Sequence, residues 1–495
     1  MTARSAIVVG AGVAGIAAAT HLARSGVDVT VVEKNRRPGG RCDRFTRDGH
    51  RFDTGPTLLI MPRVYESEFA ALGADFRGLL DLQPVDPTYR LVFDDGSRLA
   101  LTSDMRLMQA QLEQIEPGSF KGFLRYRAEG RRHHDVTMRR LVDRDFRKAS
   151  DFFCLGNLPL VFQVKPFVNH YANMGQYFGN PRLKAAFTFQ DVYMGLSPFE
   201  APATFSMMPY TELAHGCWYP RGGMYSVVKA LVSVARRAGV RFLFNAAVRR
   251  IDVKDSRARG VILTDGRRLK ADVILANADL PYVFKDLLPP DPLADDLESK
   301  RFSCSVVSFF WGVSKQYKAL APHTLFLADD YRGNFDSIIH DLTLPGNPSV
   351  YVHAPRQLDP SMAPPGEETV IAIVPVGHLN ANGSQNWDSI RDEARRHVFR
   401  RLRLLGVTDL EQHIKFEVSY DPLSWRRRYN LMKGSTHGLS HNLMQLAYFR
   451  PHNRHPRYRN LYFAGASTHP GTGVPTALIS GRLAAQRIMD EFGVT

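Results

Sequence analysis

The chain has 495 residues, 44% of them hydrophobic and 23% charged, the balance of a folded protein and not of a disordered one. Lys and Arg number 64 against 49 Asp and Glu, and the resulting net charge of +15 suits a polyanionic surface, either nucleic acid or the anionic face of a membrane. Cys42, Cys154, Cys217 and Cys304 stand far apart with no C-x-x-C pair, which argues against a disulfide framework or a cysteine zinc site and fits a reducing compartment.

The opening Met1-Thr2-Ala3-Arg4-Ser5 shows no secretory cleavage site and runs directly into a strand at residues 6–9. A tight turn, a helix with an apolar stripe over 16–24 and a second strand at 29–32 follow. From about 85 to 214 the texture becomes helical and rich in Arg, Phe and Met, with few strand signals. Residues 215–295 resume an α/β pattern, with a strand at 271–275. The stretch 296–435 is β-rich, with strands at 305–311, 370–376 and 414–420 and a helix over 389–405. Residues 436–495 return to the α/β pattern, with strand, glycine turn and helix in succession over 460–488. No internal repeat or Gly/Ser linker interrupts this order. The pattern predicts a discontinuous nucleotide-binding domain (1–84, 215–295 and 436–495) interrupted by a helical region, 85–214, and a β-rich domain, 296–435. No window of about 18 apolar residues is free of charges and breakers. The best stretch, 152–168, contains Gly156, Pro159, Lys165 and Pro166.

Gly10-Ala11-Gly12-Val13-Ala14-Gly15 matches G-x-G-x-x-G between a strand and a helix. In that setting Gly10 makes the turn, Gly12 admits a pyrophosphate, and Gly15 lets helix and strand pack closely. The helix start presents free N–H groups to the phosphates. Glu33 closes the second strand, where a carboxylate accepts from a ribose 2′-hydroxyl, so the ligand is FAD or NAD and not a 2′-phosphate. Pro38-Gly39-Gly40-Arg41 can bring backbone and a guanidinium to a diphosphate, and Gly55-Pro56-Thr57 can bring backbone to a flat ring.

This order resembles the large flavoprotein family that includes amine oxidases and carotenoid desaturases. The stretch 460–475, with Gly465, Ala466, His469, Gly471, Gly473, Val474 and Pro475, closely resembles the signature of bacterial and fungal phytoene desaturases. So do the blocks Trp218-Tyr219-Pro220-Arg221-Gly222-Gly223-Met224, Ala276-Asn277-Ala278-Asp279, Tyr351-Val352-His353-Ala354-Pro355 and Phe449-Arg450-Pro451-His452-Asn453-Arg454, in the family's order along nearly the whole chain. The resemblance implies an α/β fold: a Rossmann-type FAD-binding domain, an inserted mixed-sheet substrate domain and a helical membrane-associating subdomain. It implies FAD contacts from Gly10, Gly12, Ala14, Gly15, Glu33, Lys34, Gly40, Arg41, Gly55, Pro56 and Thr57. Val248 would meet the adenine through its backbone, Gly465 and Ala466 would lie by the pyrophosphate and ribityl chain, and Gly473, Val474 and Pro475 by the flavin ring. The C-terminal signature holds no cysteine that could bond the flavin, so the FAD is expected to be noncovalent.

The activity implied is dehydrogenation of a lipophilic C40 carotenoid of the phytoene type, towards lycopene-type products. Electrons would leave to quinone or oxygen. A single dinucleotide fingerprint argues against a bound NAD(P)H reductant. Two other readings stay open: a desaturase or oxidoreductase of another isoprenoid (a later carotene, a diapocarotenoid or hydroxysqualene), and a non-oxidative carotenoid isomerase or binding flavoprotein. No general base is assigned; His469 is a weak candidate for contact with the substrate.

So insoluble a substrate must come from a bilayer. Phe152, Phe153, Leu155, Leu158, Leu160, Val161, Phe162, Val164, Phe167 and Val168 follow a basic stretch containing Arg131, Arg132, Arg139, Arg140, Arg144, Arg147 and Lys148. Apolar side chains beside a polybasic face predict a peripheral, monotopic contact with an anionic membrane surface, on its cytoplasmic face. His133-His134 reads as a solvated pair and no metal site is expected. Trp425 to Arg428 and Arg450 to Arg459 read as surface or lipid contacts, with no nucleic-acid partner. Asp53 has either a cofactor-site or a turn role.

Overall fold

The apolar run after the N-terminus becomes the central strand of a five-stranded sheet, because Ala6, Ile7, Val8 and Val9 are all buried. The structure, a computed structural model, describes residues 4–493, so Met1, Thr2 and Ala3 of the opening segment lie outside the described residues. Ser5–Val9 lies between Asp28–Val32 and Val273–Ala276, with Arg241–Leu243 and Leu461–Phe463 at the edges, every pair parallel. One face is covered by helices Val13–Arg24, Tyr225–Arg237 and Val474–Phe492, which share a core of Ala17, Ala18, Val227, Leu231, Leu478 and Ala484. The other face carries the antiparallel strands Val248–Lys254, Arg257–Leu263 and Arg268–Lys270, whose Ile251, Val261 and Leu263 pack on Ile7, Val9 and Ile274.

A seven-stranded mixed sheet forms the second layer system, in the order Ile414–Tyr420, Ser305–Val313, Glu368–Val376, Val350–His353, His323–Phe326, Tyr89–Val92, Arg98–Leu101. Its neighbours are antiparallel except His323–Phe326 with Tyr89–Val92. Helix Trp387–Arg403 covers one face through Ala394, Val398 and Leu402 against Trp311 and Val374.

This topology corrects the expectation for residues 85–214. The two strands Tyr89–Val92 and Arg98–Leu101 complete the mixed sheet, so this segment and 296–435 share one sheet. Helices Met105–Ile115 and Ser119–Thr137 then pack on it through Met108, Leu112, Phe123 and Tyr126, which meet Tyr89, Leu91 and Leu325. Among the described residues no separate helical subdomain stands apart from this sheet. Four-residue strands containing Arg give too short a period-2 signal to stand out before long helical runs. No helix among the described residues is long and apolar enough to cross a membrane.

Candidate active site

The C-terminal ends of the parallel strands and one face of the mixed sheet enclose a cavity of about 620 Å³. The end of an open parallel sheet is where α/β folds place ligands, because helix starts and flexible turns converge there. Gly10, with φ +100°, carries the chain out of the first strand, and its N–H donates to the Val32 carbonyl at 2.7 Å. Gly39 N–H donates to the Ala11 carbonyl at 2.7 Å, pinning the second glycine loop to the first. A Cβ on Gly12 would lie 2.6 Å from Asn277 Oδ1, and one on Gly40 would lie 3.3 Å from the Gly12 Cα, so side chains there would close the cradle. Helix Val13–Arg24 begins with no side-chain cap and no acid in its first turn, which leaves its N–H groups for an anion.

Arg41 reaches the same place. Its Nη1 donates to the Thr436 carbonyl at 2.9 Å, the guanidinium lines the cavity, and burial lowers its affinity for the proton from the usual arginine value. Glu33 lines the cavity too, with its carboxylate accepting from Ala11 N–H at 2.8 Å and from the Asn35 N–H and Nδ2 at 2.8 and 2.9 Å. Burial pushes its pKa up against those donors. Lys34 Nζ bonds the Arg427 carbonyl at 3.1 Å and Asn430 Oδ1 at 2.6 Å, tying the sheet to helix Pro422–Tyr429.

Among the residues singled out in the sequence, Gly10, Gly12, Ala14, Glu33, Lys34, Gly40, Arg41, Gly55, Pro56, Thr57, Val248, Gly465, Ala466, Gly473, Val474 and Pro475 all line this one cavity. Gly15 does not; a Cβ there would strike the Gly10 carbonyl, so its place is the helix–turn contact. His469 lines the cavity, and burial pushes its imidazole down to about 4. The lining is otherwise largely apolar and includes Phe205, Met207, Met208, Leu325, Phe335 and Ile338. Thr57 Oγ1 lies 2.7 Å from the Tyr351 hydroxyl, which lies 2.6 Å from His323 Nδ1.

A model of the family described as flavin containing amine oxidoreductase matches residues 13–489. The chain belongs to that family. It is an FAD-dependent oxidoreductase and a close relative of phytoene and diapophytoene desaturases. It is 40% identical over 512 residues to the phytoene desaturase of Fusarium fujikuroi, covering 99% of this chain and 90% of that one. The zeta-carotene-forming phytoene desaturase of Myxococcus xanthus is 41% identical over 490 residues, covering 98% and 94%. A 4,4′-diapophytoene desaturase of Staphylococcus haemolyticus is 34% identical over 496 residues, covering 98% of each chain. Putrescine oxidase bound to putrescine shares the fold, with a TM-score of 0.66 at 15% identity, covering 98% of this chain and 99% of that one.

The cradle fits FAD: an uncapped helix start, glycines without room for a side chain and a guanidinium stand where a diphosphate would lie. Several residues that support it were not legible in the sequence. Asp279, within a recognised block but without a role, accepts from Ser467 Oγ at 2.6 Å and Met432 N–H at 3.0 Å, joining three segments behind the cavity. Thr436, His437 and His441 complete the wall from a loop with no local pattern.

Other expectations are corrected. His133 is fully buried, not solvated, and pairs with Ser206 Oγ at 2.7 Å, because it sits on the inner face of its helix. Trp425 is buried, with Nε1 donating to the Val306 carbonyl at 3.1 Å, and Arg428 pairs with Asp43. Arg450 is buried among backbone carbonyls instead of lying on the surface. Asp53 has the structural role: its carboxyl accepts from the N–H groups of Met224 and Tyr225 at 2.7 and 3.1 Å.

Proposed function

We propose that the chain is a desaturase introducing double bonds into phytoene or a related carotenoid, towards lycopene-type products, with noncovalently bound FAD supplying the hydride acceptor at flavin N5. The observation that carries this reading is one cavity that holds the glycine–arginine cradle and is otherwise lined largely by apolar side chains. An amine substrate would ask for polar or acidic groups along that lining; a hydrocarbon asks for Phe205, Met207, Met208, Leu325, Phe335 and Ile338. The names of the most similar relatives point to the same substrate class.

In this reading Gly10, Gly12, Ala14 and Gly40 bring backbone to the diphosphate, and Arg41 neutralises it. Glu33 accepts from the adenosine ribose, and Val248 meets the adenine. Gly55, Pro56 and Thr57 would border the flavin ring, as would Gly473, Val474 and Pro475. Gly465 and Ala466 follow the ribityl chain. Lys34 fixes the loop beyond Glu33. Cys42 and Cys304 also line the cavity, but burial holds both thiols protonated, Cys304 pushed up to about 12, which supports noncovalent binding. The apolar walls exclude water and align the chain so that one carbon faces the flavin.

Access is from an anionic membrane surface, where the protein docks peripherally on the cytoplasmic face. Leu155 and Phe162 are each 84% exposed and Phe167 is 78% exposed, apolar side chains close together in sequence that water does not favour. Quinone or oxygen takes the electrons. The test is anaerobic incubation of FAD-loaded protein with phytoene in anionic liposomes and added quinone, followed by chromatography with absorbance spectra. New conjugated carotenes formed in step with quinone reduction are expected. Intact phytoene beside a reducible flavin would move the assignment to another isoprenoid.

A further inference from the structure

The largely apolar lining of the cavity carries a pair of phenols. Tyr89 opens strand Tyr89–Val92 and Tyr193 lies in the short helix Phe189–Met194; both line the cavity, and the Tyr193 hydroxyl donates to the Tyr89 hydroxyl. Behind them stands Glu212, from helix Met207–His215. Its side chain is buried, Gln190 Nε2 donates to its Oε2 at 3.1 Å, and Oε1 has no partner. Tyr193 stands beside its carboxyl, with its hydroxyl given to Tyr89 and not to Glu212. The other titratable neighbours, Tyr89, Tyr126 and Cys217, are neutral, so no cation compensates it.

A buried carboxylate without a cation is costly, and a structural role would be served as well by an amide. Other carboxyls of the site are committed: Glu33 accepts from three N–H groups, and Asp279 from Ser467 and Met432. Glu212 is the one with an unpartnered oxygen beside the Tyr193–Tyr89 pair that lines the cavity.

We infer that Glu212, reached through the hydroxyls of Tyr193 and Tyr89, receives the proton that a substrate carbon loses while its neighbour is oxidised. The inference rests on the dehydrogenation proposed above. The breaking C–H bond leaves its electron pair in the new C=C bond. Its proton forms an O–H bond on the phenol it meets, that phenol's own proton moves on, and an O–H bond forms on Glu212. The adjacent carbon loses its hydrogen as hydride, with two electrons, to FAD. The proton leaves again when quinone or oxygen takes the electrons. Burial pushes Glu212 up to about 7, so near neutral pH it can exist in both the accepting and the protonated form. Glu212 is a positioning residue in this account, since it acts through the phenols.

The test uses the FAD-loaded protein and the variants Glu212→Gln, Glu212→Asp and Tyr193→Phe. Infrared titration, which needs no turnover, is expected to show a protonated-carboxyl band in the wild type minus Glu212→Gln difference that fades as pH rises through about 7, beyond the signal of Asp53 and Glu368 common to both proteins. Glu212→Gln is expected to lower kcat by about 100-fold or more at unchanged KM, within the range for a lost proton acceptor. Glu212→Asp should restore part of it. The wild-type rate should rise with pH through about 7, and that limb should vanish in Glu212→Gln. Absence of the band, or a Gln variant that keeps wild-type kcat and the same limb, overturns the inference. Should Glu212→Gln fail to fold, Tyr193→Phe decides: a kcat loss supports the path and an unchanged kcat overturns it. Wild-type protein that leaves phytoene intact sinks the phytoene assignment alone. The infrared titration, together with the pH limb on the isoprenoid that is turned over, then judges Glu212.

Discussion

Arg450 fixes the back wall of the site one hydrogen bond at a time. Its Nε donates to the Thr468 carbonyl at 3.0 Å, its Nη1 to Ser440 and Gln445 at 3.0 Å each, and its Nη2 to Leu439 and Ala466. One side chain therefore holds the loop before it against the signature turn that carries Ala466 and His469. Burial pulls its pKa down to about 9, so it is still charged at neutral pH. Arg450→Met would leave several buried carbonyls without donors at about 1–3 kcal/mol each. A loss of about 3 kcal/mol or more is expected, read as a lower urea midpoint at unchanged slope. Arg41 differs, because it lines the cavity and bonds one backbone carbonyl, that of Thr436, where Arg450 bonds five. Arg41→Gln should leave the urea midpoint close to wild type and weaken FAD by about 10- to 100-fold, the weight of a charge-assisted bond of about 1.5–3 kcal/mol. Flavin fluorescence titration measures it; unaltered affinity would remove Arg41 from the diphosphate. The two arginines also show what a sequence discloses. Arg41 follows a glycine pair at a fixed distance from a fingerprint, so its place is written locally. The partners of Arg450 are carbonyls, which no sequence pattern records, and a run of arginines around it looks like a surface. Glu212, Tyr193 and Tyr89 come from three separated segments, and only the fold brings them together.

Between Ala149 and Val168 the chain builds elements that are apolar on both sides. Helix Leu158–Val164 turns Leu160 and Val164 inward, while Leu158, Val161 and Phe162, at i, i+3 and i+4, form a second stripe facing out. The chain just before the stripe packs on the segment at 448–449. Phe152 stacks on Tyr448 at 5.9 Å, and Phe153 meets Phe449 at 6.0 Å. These aromatics adjoin Leu446 and Ala447, which line the cavity. The apolar run and the breaks at Pro159 and Pro166 were visible in the sequence; which side chains turn outward was not, because a seven-residue helix is too short for its period to be read. The strands Tyr89–Val92 and Arg98–Leu101 escaped notice for the same reason. Each large apolar side chain moved from water into acyl chains contributes about 1.5–3 kcal/mol. The triple variant Leu158→Ser, Phe162→Ser and Phe167→Ser should therefore bind anionic liposomes at least about 100-fold more weakly in flotation assays, with its melting temperature held. Raising the salt should weaken the wild type as well, since Arg139, Arg140, Arg144 and Lys148 adjoin the stripe. Equal flotation of the variant would remove this segment from membrane contact.

Across the whole molecule, the site lies where two sheets meet, and many titratable groups are buried to make that junction. Burial pushes the imidazoles of His21, His133, His353, His437, His455 and His469 down to about 4. It pushes the carboxyls of Asp53, Glu212 and Glu368 up to about 7. The two sets act in opposite directions. Between about pH 4 and 6.5 the unfolded chain protonates those histidines while the folded one leaves them neutral, so acid favours unfolding. Over nearly the same window the folded chain keeps protons on the three acids that the unfolded chain releases, so acid favours folding. The histidines outnumber the acids and their displacement is of similar size, so the histidine term wins. The cofactor-free protein should thus lose stability as pH falls from 6.5 towards 5, with urea midpoints dropping at each step. Above pH 7 both sets have finished titrating and the midpoint should level off until the tyrosines and lysines begin. A midpoint that stays flat or climbs between pH 6.5 and 5 would mean that the buried histidines take up protons in the folded state. Measured again with FAD bound, the same curve should lie higher throughout, because a ligand held only by the folded chain adds stability that grows with its concentration over its dissociation constant. The acid slope should survive that addition, because four of the six histidines (His21, His133, His353 and His455) stand outside the cavity wall.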